Sequence, residues 1–272
     1  MIKRLSNHTQ ITTIILILLL LFNKGIAGDI SYIRDDYQHS IHTGIGIITA
    51  PIHFDRQDWR NTGLTLAGTI LLFNIDKPIQ QLALNNHNPI HNVLFKIDRI
   101  HGNKYDLYLA GSIYTFGIIT QKPAIRKAGL NAAEAYLFSG AITGIGKVLF
   151  GRKRPYASDS PLFFSPFHLT ENRYHSLPSG HTTVSFAVST VMAKSWDNIG
   201  WKVFWYGNAG LVAASRIYHN QHWFSDTFLG AIVGYSVANY IVNSTPEKTS
   251  QKNYRIVPQV SISSVGFDIY RN

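Results

Sequence analysis

PAIRKAGLNAAEAYLFSGAITGIGKVLFGRKRP, residues 123–155, decides the fold class. Pro123 suits a first helical turn, where its missing N–H costs nothing. From there to Phe150 the run is apolar or small, with few charges, and it ends against a glycine and a basic cluster. A helix of this length and composition needs other helices around it. Outward from it, apolar residues recur at three-to-four spacing in several further segments. Asp58 is read as the N-cap of a helix to about Ile75. Pro78 and the cluster Asn85–Pro89 divide the next stretch into two short helices, Ile79–Leu84 and Val93–Ile100. Tyr105–Thr120, His181–Lys194, Trp201–Ile217 and Asp226–Asn243 complete a mainly α bundle over residues 58–245.

The flanks read differently. Lys3 and Arg4, the apolar stretch Ile11–Phe22 and the small-residue end Gly25-Ile26-Ala27 have the pattern of a secretory leader cleaved after Ala27. Residues 28–57, with Gly44, Gly46 and Pro51, read as an irregular lead-in. Residues 246–272 read as a polar linker followed by a short β segment. There Val260 and Ile262, then Val265, Phe267 and Ile269, alternate about a turn or bulge at Ser263-Ser264. Export to the periplasm is the expectation.

Composition narrows the chemistry. Charged residues make up 15% and hydrophobic residues 45%, a balance suited to a dense helical core or to contact with lipid. The apolar stretches of the mature chain fall short of the roughly 20 residues of a membrane span. A soluble or membrane-surface bundle is therefore favoured over an integral one. With no cysteine, disulfides, a lipidated cysteine, a thiol nucleophile and a cysteine metal site are all excluded. The net charge of +10 comes from 25 Lys and Arg against 15 Asp and Glu. It stays strongly positive without the leader, whose Lys3, Arg4 and Lys24 face no acid. Anionic partners are implied. Nucleic acid is not among them, since no basic run is interleaved with stacking aromatics.

Three clusters carry chemistry. Six residues lie between Lys147 and Arg154-Pro155, and a lysine within the apolar run Ile145–Phe150 needs an anion or a route to water. Pro178-Ser179-Gly180-His181 lies where a proline-rich loop meets a helix, so free N–H groups there can hold an anion. The third cluster is Ser215-Arg216, His222 and Asp226. Asp226 either caps the last helix or holds His222 through Nδ1, leaving Nε2 free as a nucleophile or base. Three cations, a helix N-terminus and two histidines suit phosphoryl transfer without a metal. A metal site from His219, His222 and Asp226 is a weaker alternative, because it leaves the three cations unused.

In order and spacing these clusters resemble the three-part signature of the type-2 phosphatidic acid phosphatase family. That superfamily includes bacterial non-specific acid phosphatases and vanadium haloperoxidases. The resemblance spans about residues 147–226. It implies the family's helical bundle, His222 as nucleophile, Asp226 as its orienting carboxylate and His181 as general acid. It also implies Lys147, Arg154, Ser179, Gly180 and Arg216 as the phosphate cradle. The implied substrate is a phosphomonoester or pyrophosphate, of a lipid such as phosphatidic acid, a prenyl pyrophosphate or lipid A. The alternatives are a periplasmic acid phosphatase of broad specificity and a vanadate-dependent haloperoxidase. No cofactor or metal is implied, and vanadate is expected to inhibit.

Two further features await tertiary structure. Gly140/Gly144 and Gly230/Gly234 suggest close packing of the long helix on the last one. The loop 151–180 holds Tyr156, Leu162, Phe163, Phe164, Phe167 and Leu169, either buried against the bundle or forming a lip for an acyl or prenyl chain.

Overall fold

A computed structural model describes residues 31–245 and the backbone of 254–261 and 264–271. The leader and most of the linker lie outside the described residues. Eight α-helices are present among the described residues: α1 Ser31–Thr49, α2 Arg56–Asn85, α3 Pro89–Leu94, α4 Lys104–Ile119, α5 Pro123–Phe150, α6 Gly180–Lys194, α7 Ile199–Tyr218 and α8 Phe224–Ser244. A short 3₁₀ segment, Phe95–Arg99, comes after α3. Near the C-terminus β1 (Tyr254–Ser261) pairs antiparallel with β2 (Ser264–Arg271), with Ser261 opposite Ser264.

The bundle is built around α6. From Thr182 to Ala193 nearly every side chain of this helix is buried, and all are small or β-branched apart from Phe186 and Met192. It packs on α5, α7 and α8, while α4 lies on α5 and α2 on α8. Its small residues let neighbouring backbones come close. A Cβ on Gly230 would stand 2.7 Å from the Ser179 carbonyl oxygen, and one on Gly234 only 2.1 Å from that of Thr183. The glycines of α8 therefore face α6, not the long helix as the sequence suggested. Gly140 also looks to α6, at Val184, and Gly144 has nothing near it.

Two other expectations change. The lead-in 28–57 contains a full helix, α1. Its glycines are points of close packing: a Cβ on Gly44 would meet the Phe138 ring at 3.1 Å, and one on Gly46 the Tyr240 hydroxyl. Packing overrides the low helical propensity of glycine, and Pro51 falls in the 3₁₀ turn beyond the helix end. Pro78 does not divide its helix either. The chain stays helical because both sides are anchored, Asp76 by Arg152 and Gln80 by Asn220 at 2.8 Å. The N-cap of α2 is Asp55, with Asp58 three residues on as the reciprocal half of a capping box.

Far along α5 from Lys147, Glu134 is buried against α1. One carboxylate oxygen accepts from the Ser40 hydroxyl at 2.6 Å, and the other has no hydrogen-bond partner. Burial raises this carboxyl from 4.5 to about 7, with the Ser40 bond opposing and the Asp36 charge adding to the rise. A carboxyl raised by folding contributes stability that is full below pH 4.5 and lost as pH climbs through about 7. Glu134→Gln keeps the shape and removes the charge. Its Tm should match the wild type at pH 5 and exceed it at pH 8, as measured by thermal unfolding at the two pH values.

Candidate active site

The site forms where the start of α6, the end of α5, the end of α7 and the start of α8 converge. Asp226, in the first turn of α8, is fully buried and saturated with donors. Oδ2 accepts from the Ser176 hydroxyl at 2.5 Å and from the Trp223 backbone N–H at 2.8 Å. Oδ1 accepts from the Arg152 guanidinium at 2.6 Å. Burial alone would raise this acid. Arg152, His222 and Ser176 outweigh burial and bring it down to about 2. Asp226 caps α8 through the Trp223 N–H, and its carboxylate stands 3.6 Å from Nδ1 of His222, beyond hydrogen-bond distance.

His222 is 2% exposed, and its Nδ1 has no hydrogen-bond partner. Burial holds it well below the ordinary histidine range; the charges of Lys147 and Arg154 lower it further, and Asp226 opposes them. The imidazole is therefore neutral at neutral pH, the form in which a ring nitrogen can attack. His181, one residue into α6, is pushed down to about 4, first by burial and then by Arg216, with Lys147 and Arg154 adding and Asp98 opposing.

Each predicted cation reaches the same place. Lys147 donates to the His175 carbonyl at 2.6 Å. Burial, then the Arg154 charge, lowers it to about 7, with Arg216 adding and Asp226 opposing. Arg154 is held by the Asn172 carbonyl at 3.0 Å, the Asn172 side chain at 2.8 Å and Gln221 at 2.7 Å. Arg216 donates to Asp98 at 2.6 Å, and its Nε is buried with no partner. Gly180 opens towards Lys147: a Cβ there would lie 3.6 Å from Cε. Ser179, fully buried, has its hydroxyl 2.9 Å from that of Thr182, and its N–H donates to the Asp226 carbonyl. The cations depress one another and one buried Nε is unpartnered, so the arrangement suits an anion.

The loop is tied at its root and open at its tip. Residues 152–154 are held on one side by Phe163 and Phe164 and on the other by Arg173 and Ser176. Phe164 also approaches Phe73, with centroids 5.9 Å apart. Phe167 and Leu169 are 74% and 75% exposed, so burial against the bundle does not account for the loop. The weaker metal reading is not assembled. His219 turns to Asp98 at 3.1 Å while His222 faces Asp226, and no metal-ligating group converges among the described residues.

Known proteins share this arrangement of helices. A model of the PAP2 superfamily matches residues 128–250. The chain carries a PAP2 superfamily domain. It is 28% identical over 174 residues to a lipid A 1-phosphatase of Porphyromonas gingivalis. The match takes in 62% of this chain but 34% of that relative, so the chain spans about a third of its length. Among solved structures, the first transmembrane PAP2 type phosphatidylglycerolphosphate phosphatase from Bacillus subtilis shares the fold, with a TM-score of 0.52 and 18% identity. That likeness covers 66% of this chain and 92% of the other. Aquifex aeolicus LpxE aligns with a TM-score of 0.49 and 22% identity, over 62% of this chain and 95% of that one.

Three residues that organise the site escaped sequence reading. Arg152 is 0% exposed and bridges Asp226 to Asp76 of α2, at 2.6 and 2.7 Å. Asp76 also accepts from the backbone and hydroxyl of Ser225, at 2.8 and 2.6 Å. Asp98 holds Arg216. Within GRKRP, Arg152 looks like one more surface cation, and both aspartates lie far upstream. The apolar context of Asp76 was the one available signal. Removing Arg152 leaves two carboxylates buried together. Arg152→Met should cost about 3–5 kcal/mol, the range for breaking a buried ion pair, read from the midpoint of chemical denaturation.

Proposed function

We propose that this protein is a metal-independent phosphatase of lipid phosphates, working through a phosphohistidine on His222. The observation that carries the reading is a cluster of three cations, one with a buried unpartnered N–H, beside a buried, neutral histidine that has a carboxylate 3.6 Å away. Nε2 of His222 attacks phosphorus, and the bond from phosphorus to the leaving oxygen breaks as the new N–P bond forms. His181 gives its proton to that oxygen. Water then attacks the phosphohistidine and returns a proton to His181, the N–P bond breaks, and phosphate leaves. Lys147, Arg154, Arg216 and the N–H groups around Gly180 meet the equatorial oxygens, where charge spreads in the transition state. Vanadate, which takes the same pentacoordinate shape, is the expected inhibitor.

The lipid part of the reading rests on the surface. No described helix is long and apolar enough to cross a membrane. Yet α2 exposes Leu64, Ile70 and Leu71, α5 exposes Leu137, Ile145 and Leu149, and the loop adds Phe167 and Leu169. Apolar exposure on this scale marks a contact surface. The similarity to a lipid A 1-phosphatase agrees with lipid as that contact and as the substrate. We place the enzyme at the envelope membrane, with the leader-like segment directing export.

His222→Ala should abolish phosphate release from an aryl phosphate, leaving the thermal unfolding profile intact. Radiolabelled substrate quenched in alkali should leave phosphate on wild-type protein and none on the variant. An active enzyme with no trapped phosphate would falsify covalent catalysis.

The pH profile should show the cradle's charge. In the free site protonated His181 is scarce above about 4, and Lys147 loses its proton near 7. Bound phosphate dianion favours the protonated form of both, so the descending limb of kcat should lie at higher pH than that of kcat/KM. Superimposed limbs would remove His181 from the role of acid.

A further inference from the structure

Beside His181 the protein has a cleft of about 730 Å³ whose inner wall is His181, Arg216 and Gln221. Gln221 accepts from Arg154, so this wall is also the outer face of the phosphate cradle. A group that protonates the leaving oxygen must lie on the leaving-group side of phosphorus. The cleft therefore receives the part of the substrate that departs, an assignment that rests on the catalytic reading above.

The outer wall is cationic. It is made by the segment 98–105, which supplies Asp98, Arg99, Asn103, Lys104 and Tyr105. Asp98 spends its charge on Arg216 and His219. Arg99 and Lys104 are exposed and have no carboxylate partner among the described residues. Lys104 is also the first residue of α4, whose N-terminus carries partial positive charge. The carboxylate in that turn, Asp106, faces away, towards His101 at 2.7 Å and the Gly102 N–H at 2.7 Å.

This wall is built, not draped. Gly102 has φ +84, and a Cβ there would lie 2.7 Å from the His181 carbonyl oxygen, so the segment is pressed onto the start of α6. His101, 7% exposed, is clamped between Asp106 and the Ser189 hydroxyl of α6, at 2.7 and 3.1 Å. The backbone that carries Arg99 and Lys104 is thereby fixed against the general acid.

We infer that Arg99 and Lys104 form a subsite for a second phosphate, one carried by the leaving group. Substrates with two phosphates would then be preferred over simple monoesters. The second phosphate has two sources: the departing half of a prenyl diphosphate, or a distant phosphate on a glycolipid headgroup. A neutral diacylglycerol leaving group gives the two cations nothing to bind. Two surface cations focused on one anion act on binding more than on the chemical step.

The test compares wild type with the double variant Arg99→Gln/Lys104→Gln on two matched pairs. These are farnesyl diphosphate with farnesyl monophosphate, and a bisphosphorylated glucosamine disaccharide lipid with its 1-monophosphate. A small aryl phosphate serves as control. The expected result is a fall of about tenfold in kcat/KM for the doubly phosphorylated member of at least one pair, with the aryl phosphate unchanged. The pair that responds identifies the source of the second phosphate. Equal changes within both pairs, or none in either, would overturn the subsite. Aryl phosphate hydrolysis that survives His222→Ala would instead overturn the catalytic reading, so the two failures are told apart.

Discussion

The buried guanidinium of Arg152 is the joint on which the site depends. It is fully enclosed and holds Asp226 of α8 with one nitrogen and Asp76 of α2 with another. Aromatic rings enclose it, with Phe73 centred 4.4 Å away and Phe164 and Trp223 further out. Two carboxylates so close could not both stay ionised without it. With it, Asp226 is a fixed anion beside His222, the last helix is capped, and α2 is drawn onto α8. One guanidinium thus fixes the carboxylate beside His222 and ties two helices together.

Around that joint the electrostatics are arranged for an anion. Lys147, Arg154 and Arg216 each meet one or more neutral or anionic protein groups, and Arg216 keeps one buried N–H unused. Their mutual repulsion and desolvation push Lys147 and His181 towards their neutral forms. A phosphate dianion relieves both costs. Anion binding and protonation of Lys147 and His181 are therefore coupled.

The polar interior contrasts with the outside. The most buried helix, α6, is rich in Ser and Thr, whereas α2, α4 and α5 turn leucines, isoleucines and phenylalanines outward. A water-exposed bundle places these the other way round. The proposed contact with lipid would account for the inversion; no described helix is long and apolar enough for a span.

The helical character and the ends of α5 to within a residue were legible in the sequence, as were the three clusters from which the candidate site is drawn. Helix periodicity and caps are local, and the three clusters keep fixed spacing along the chain. What local reading missed is non-local. Gly44 and Gly46 argue against a helix until Phe138 and Tyr240 are seen beside them. Pro78 argues for a break until Arg152 and Asn220 anchor its flanks. Asp76 lies 150 residues from Asp226, and nothing in either neighbourhood points to the other. The sequence by itself determined which groups could do chemistry and which stretches were helical, because these depend on residue type and short-range spacing. Only the tertiary structure decided that Arg152 is internal, that Asp98 holds Arg216 and that Arg99 and Lys104 border the cleft beside His181. Burial and charge pairing depend on which distant segments pack together, and one-dimensional spacing does not encode that.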